Sequence, residues 1–131
     1  MDVQILSATF VENIELRQAP GGATRIDLTG VLFSLSAPTP PPVTIAPHLV
    51  VLVRCRSDET GFAALEVIFK DPAGEQVAKN VQPFQVEPGK FGYRLVKGEL
   101  TFEEYGTIEA HCNIDGGPET VVPLTLLPPF G

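Results

Sequence analysis

Thirteen prolines and twelve glycines are spread singly or in short groups along 131 residues. No stretch between them carries the start and stop signals of a three-turn helix, because proline removes a backbone donor and glycine costs entropy in a helix interior. The segments between the breaks alternate apolar and polar residues with a period of two, the pattern of half-buried strands. The chain is expected to be all-β. Its strongest signal is residues 49–69, where Leu49, Val51, Val53 and Cys55 alternate with Val50, Leu52, Arg54 and Arg56. After a polar break at residues 57–61, Leu65, Val67 and Phe69 alternate with Ala64, Glu66, Ile68 and Lys70. A break of that length ending in Gly61 predicts a central hairpin, with the arginines pointing outward.

The remaining segments read as shorter strands. Residues 3–16 are apolar on both sides and suit an edge or two-sided strand, turned back by Pro20, Gly21 and Gly22. Ile26 and Leu28 fall out of phase with Val31, Phe33 and Leu35, and a slip of one residue at Gly30 predicts a β-bulge. Residues 37–42, with four prolines, cannot feed a ladder and are expected to run as an extended connection. Asp71-Pro72-Ala73-Gly74 reads as a type I turn and Glu87-Pro88-Gly89-Lys90 as a type II turn. Pro83 assigns residues 77–86 to an edge. Phe91, Tyr93 and Leu95 are expected to point into the core, and residues 100–104 to form a helical turn or loop over one end. Ile108, Ala110, Cys112 and Ile114 form the cleanest inward face, opposite Thr107, Glu109, His111 and Asn113. Val122, Leu124 and Leu126 face inward on the final strand, and Phe130 leaves an exposed ring.

A chain of this length fits a single domain over residues 1–131 and can bury about two-thirds of its unfolded surface. The net charge of −7 and pI of 4.7 repel phosphate backbones and anionic membranes, so neither nucleic acid nor membrane is an expected partner. No apolar run approaches the roughly 18 residues of a membrane span. The first residues lack the basic start and unbroken apolar core of a secretory signal, and Asn13, Asn80 and Asn113 all lack a glycosylation context. A cytoplasmic location is expected.

Turn signals at intervals of roughly 8–12 residues predict an antiparallel β-sandwich of about eight or nine strands. From Leu95 to Gly116 the order is a leucine-alternating strand, Leu100-x-Phe102, Gly106-x-Ile108, a core strand and Asp115-Gly116. Together with Gly30-Val31-Leu32-Phe33, Pro47-His48-Leu49-Val50-Val51-Leu52 and Asp71-Pro72-Ala73-Gly74, this resembles small immunoglobulin-like bacterial proteins catalogued only as a domain of unknown function. The likeness spans most of the chain and implies an immunoglobulin-like sandwich. It carries over no site, and Ile108 stands where such families often place tyrosine. Counted in that strand order, Cys55 and Cys112 occupy the positions that bridge the sheets in extracellular members. A reducing compartment and the lack of tryptophan favour two buried free thiols over a disulfide.

The chemical inventory is thin. Four serines (Ser7, Ser34, Ser36, Ser57) fall in no nucleophile elbow, and there is no phosphate loop, HExxH or CxxC. Zinc bound by His48, Cys55, His111 and Cys112 is disfavoured, because adjacent strand residues project to opposite faces. His111 with Glu109 and Asn113 makes the best acid/base stripe, yet a flat face offers no cavity, and Arg54 and Arg56 belong to the other sheet. Glu99, Glu103, Glu104, Asp115 and Glu119 lack the regular ligand spacing of a calcium loop. No catalytic, cofactor-binding or metal-ligating residue is assigned, and no cofactor. The expected function is non-enzymatic: binding of a protein partner or self-association through an exposed sheet edge or face. The alternative is a small-molecule or carbohydrate-binding module, or weak hydrolase, with its site in the end loops from Ser57 to Gly61 and from Leu100 to Gly106.

Overall fold

The computed structural model describes residues 3–56, 61–87 and 89–129, with only the backbone of Thr24. Among them are eleven strands: β1 (Val3–Gln18), β2 (Thr24–Leu32), β3 (Ser34–Ser36), β4 (Val43–Ile45), β5 (His48–Cys55), β6 (Gly61–Lys70), β7 (Gln76–Val86), β8 (Phe91–Lys97), β9 (Leu100–Phe102), β10 (Gly106–Ile114) and β11 (Thr120–Leu127). They form a first sheet in the order β2-β1-β5-β8, a second in the order β3-β11-β10-β6-β7, and a ribbon of β4 and β9. The all-β sandwich is therefore present. Its pairings are antiparallel except β3 with β11, which is parallel.

The predicted faces of β5 and β6 are correct, but their pairing is not. Leu49, Val51, Val53 and Cys55 are buried from the first sheet, and Leu65, Val67 and Phe69 from the second. A hairpin would place both apolar sets on one side of one sheet. Crossing between sheets makes them face each other instead, burying both sets in a common core, at roughly 1.5–3 kcal/mol for each large side chain. Residues 57–60 of the expected turn lie outside the described residues. The inward faces of β10 and β11 complete this core as expected.

β1 is an inner strand of its sheet and carries a register shift: the partner moves between Ile5 and Ser7, leaving Leu6 extra. A second shift lies between β6 and β7, at Phe69 and Lys70. At Gly30 the phase slip exists without a bulge. Thr29 stays opposite Asn13 and Val31 opposite Val11, so Gly30, at φ +67°, and its opposite number Glu12 turn together. Leu32 packs on the core, whereas Ile26 and Leu28 swing to the outer side and share a hollow with Leu52. Leu52 stands between the core residues Val51 and Val53 and so faces outward. The β1–β2 arm thus leans over the outer face of the first sheet. Val11 and Val50 are fully buried there, yet stand outside the main core.

The chain changes sheets again at Phe33, whose ring is 78% exposed. The proline segment leaves from Ala37, whose N–H donates to the Leu127 carbonyl at 2.8 Å, and bends through residues 38–42, with the Pro41–Pro42 bond cis, where an extended run was expected. Residues 100–104 begin as strand β9, with Leu100 and Phe102 buried, rather than as a helical turn. The Asp71 turn forms as read, with Gly74 N–H donating to the Asp71 carbonyl at 2.9 Å; Pro88 of the second lies outside the described residues, which show its closing bond and Gly89. The Asp71 carboxylate accepts from Ala73 and Glu75 N–H, and Lys90 N–H donates to the Glu87 carbonyl with Gly89 at φ +70°. β7 is an edge, as Pro83 requires. Phe130 lies outside the described residues.

Candidate functional site

β8 departs most from its sequence reading. Phe91 (69% exposed), Tyr93 and Leu95 point outward, and Val96 is the strand's buried core residue. The reason lies on the inner side. Gly92 approaches Val53 so closely that a Cβ would sit 3.3 Å from its methyl. Arg94 lies 5.6 Å from the Phe84 ring centroid, an exposed cation–π contact. These two residues close the mouth of the sandwich between β8 and β7, leaving the aromatic set to face outward beside Leu52.

The backbone of β8 is half unpaired. Lys90 accepts from Cys55 N–H at 3.0 Å, which fixes the antiparallel alternation: Gly92, Arg94 and Val96 bond toward β5, and Phe91, Tyr93 and Leu95 turn their N–H and C=O groups away from it. Among the described residues, only the Leu95 carbonyl of these is satisfied, by Gln82 Nε2 at 2.9 Å. Around this edge lies a hollow of about 710 Å³. The arm supplies Ile26 and Leu28, the outer face Leu52, Phe91 and Tyr93, and the mouth Phe84, Gln85 and Arg94. Periodicity cannot reveal this hollow, because its wall is made by the leaning arm. Cations gather on it: Lys90, Arg94 and Lys97 lie on or beside β8, and Arg54 is paired opposite Phe91.

The predicted polar stripe is on the other sheet. His111 lies between Ile68 and Val121 on the outer face. Its Nδ1 is 2.7 Å from Glu119 and its Nε2 3.3 Å from Glu109. Asn113 donates to Glu66 at 3.1 Å. The His111 hydrogen bond, foremost, holds the Glu119 carboxyl below its ordinary range. These groups satisfy one another on a flat face and have no hollow to work in. His48 and Cys55 are at opposite ends of β5, while His111 and Cys112 project to opposite faces, so the four zinc candidates are not brought together. Among the described residues no three His, Cys, Asp or Glu side chains converge on a metal position; Asp115 instead accepts from Ala64 N–H at 2.9 Å. Cys55 and Cys112 are free and buried, and burial, with Glu119 adding like charge, pushes the Cys112 thiol up to about 12.

Of the two end loops of the alternative reading, residues 57–60 lie outside the described residues, and Gly61 does not approach the other loop. Gly61 begins β6, whereas Gly106 lies beyond the far end of that strand, past the pairing of Glu109 with Lys70. Among the described residues no helix is long and apolar enough to cross a membrane.

No protein family matches this chain, and no curated protein matches it. Among solved structures it is similar to a β-glucosidase from Erythrobacter marinus, at 15% identity and a TM-score of 0.60. The match covers 96% of this chain and 15% of that one, so the chain spans a small fraction of that protein's length. At this identity the likeness is one of fold.

Proposed function

We propose that this chain is a non-enzymatic, immunoglobulin-like binding module that engages a protein partner through the β8 edge and the outer face of the first sheet. The observation that carries this reading is the exposed Phe91-Tyr93-Leu95 set beside an unpaired edge. Folded sheets usually blunt such edges, since open backbone next to apolar side chains recruits other chains. The hollow holds only the Glu87, Lys90 and Arg94 charges in an open apolar setting, which supports binding over acid/base chemistry. Two buried unbridged thiols support a reducing, cytoplasmic setting.

The test is affinity capture with the wild-type chain and with Tyr93→Glu, alongside light scattering behind a sizing column. Capture of one stoichiometric protein by the wild type alone is expected. Equal capture by both, or a monomer that captures nothing, refutes the reading. A second reading, a carbohydrate-binding module, draws on the Phe91 and Tyr93 rings as an aromatic platform and on the glucosidase of similar fold. Calorimetry with β-linked gluco-oligosaccharides decides it: heat that disappears in Phe91→Ala supports it, and no heat removes it.

A further inference from the structure

We propose that the occupant of the β8 edge is an extended acidic peptide, added to the first sheet as a fifth strand with apolar and carboxylate residues alternating; this rests on the reading of β8 as the binding edge. Five backbone groups are disposed for it along one line: the N–H and C=O of Phe91 and Tyr93, and the N–H of Leu95. The Gln82 side chain on the Leu95 carbonyl stops the ladder there. The guest strand is therefore short, pairing over five or six residues.

Strand geometry fixes its composition. Alternate guest side chains project to opposite faces. One set falls on the outer face beside Phe91, Tyr93 and Leu95, under the overhang of Ile26 and Leu28, and is apolar. The other falls at the mouth of the sandwich beside Arg94, whose guanidinium, held over the Phe84 ring, favours a carboxylate. In a chain carrying sixteen acids and nine Lys and Arg, Arg94 and Lys97 stand on this strand with Arg54 one strand in, and Lys90 just before it offsets Glu87, its partner at 3.6 Å. That local field steers acidic segments in and basic ones away. It also disfavours a second copy: antiparallel pairing of two β8 edges sets the same cations against each other, between bodies of charge −7 each.

The test uses fluorescein-labelled, terminally blocked heptapeptides of alternating valine and glutamate, the same with lysine for glutamate, and the acidic peptide N-methylated on alternate amides. Fluorescence anisotropy is expected to show the acidic peptide binding at least tenfold more tightly than the lysine peptide. Binding is expected to be lost on N-methylation in one of the two registers and to weaken about tenfold in Arg94→Gln, with a shallower salt dependence. Hydrogen exchange should slow at the Phe91 and Tyr93 amides of the complex. Equal binding of acidic and lysine peptides, indifference to methylation in both registers, or unprotected Phe91 and Tyr93 amides overturns the proposal. So does a dimer in light scattering that Tyr93→Glu dissociates, since the occupant is then a second copy. Failure of every peptide while Tyr93→Glu still abolishes partner capture removes the added strand and leaves the binding edge standing.

Discussion

Replacing Cys112 with alanine should flatten the alkaline limb of the stability curve. The thiol is fully buried in the core, and desolvation, with the nearby Glu119 charge, pushes it up to about 12 from an ordinary 9.0. A neutral thiol in the folded state and an ionising one in the unfolded state give linkage of one sign. The contribution is fully present below pH 9 and is lost as pH rises toward 12, because the unfolded chain releases its proton first. From those two values the wild type should lose about 1.4 kcal/mol through this group by pH 10 and about 2.7 kcal/mol by pH 11. All groups other than residue 112 are common to both proteins and cancel in the comparison. The cavity left by Cys112→Ala adds a constant offset. Urea unfolding of both proteins under reducing conditions, at pH 8, 9, 10 and 10.5, measures the difference in slope. Parallel curves between pH 8 and 10.5 would refute the buried neutral thiol.

Gly30→Ala should cost about 1–2 kcal/mol through its φ of +67°. Although a Cβ there would lie 2.6 Å from the Glu12 carboxyl carbon, that flexible side chain can swing away. The cost should persist in a Glu12→Ala background, and its disappearance in urea titrations would identify a clash instead. Gly98→Ala would place a Cβ 3.1 Å from the Phe69 ring and should cost about 1–3 kcal/mol by overpacking, with changed shifts for the Phe69 ring protons in NMR spectra. The Glu119 side-chain carboxyl should titrate below its ordinary 4.5 by carbon-detected NMR and return toward it in His111→Gln. The hydrogen bond's share of stability through Glu119 is therefore present above that ordinary range and is lost as pH falls through the depressed value.

Alternation along a strand identifies two faces, and here it did so for almost every strand; it names neither the neighbour nor which face is the core. Residues 49–69 show the first limit. Their inward sets are right for β5 and β6, but a polar break joins a hairpin and a sheet crossing equally well. β8 shows the second. Phe91, Tyr93 and Leu95 look like the core face until Gly92 is seen against Val53 and Arg94 over Phe84, contacts that depend on strands distant in sequence. The candidate site was correspondingly hidden: it needs an edge, an overhanging arm and a cluster of cations, none of which has a spacing signature. Turn chemistry was legible because it is local. Asp71, Pro72 and Gly74 carry their geometry in their own side chains and backbone.

The parallel pairing of Ser34–Ser36 with β11 has a kinetic consequence. These residues are made long before the strand they join, the last of the described strands, and β6 must likewise wait for β10 to gain its inner neighbour. The β6–β7 pair can form early, but the second sheet cannot be completed until β10 and β11 have been made, and non-local closure of this kind makes folding slow. Between the making of β8 and of β11 the first sheet's apolar face has only the β6–β7 half of its cover, and that interval is the one at which a chaperone matters most.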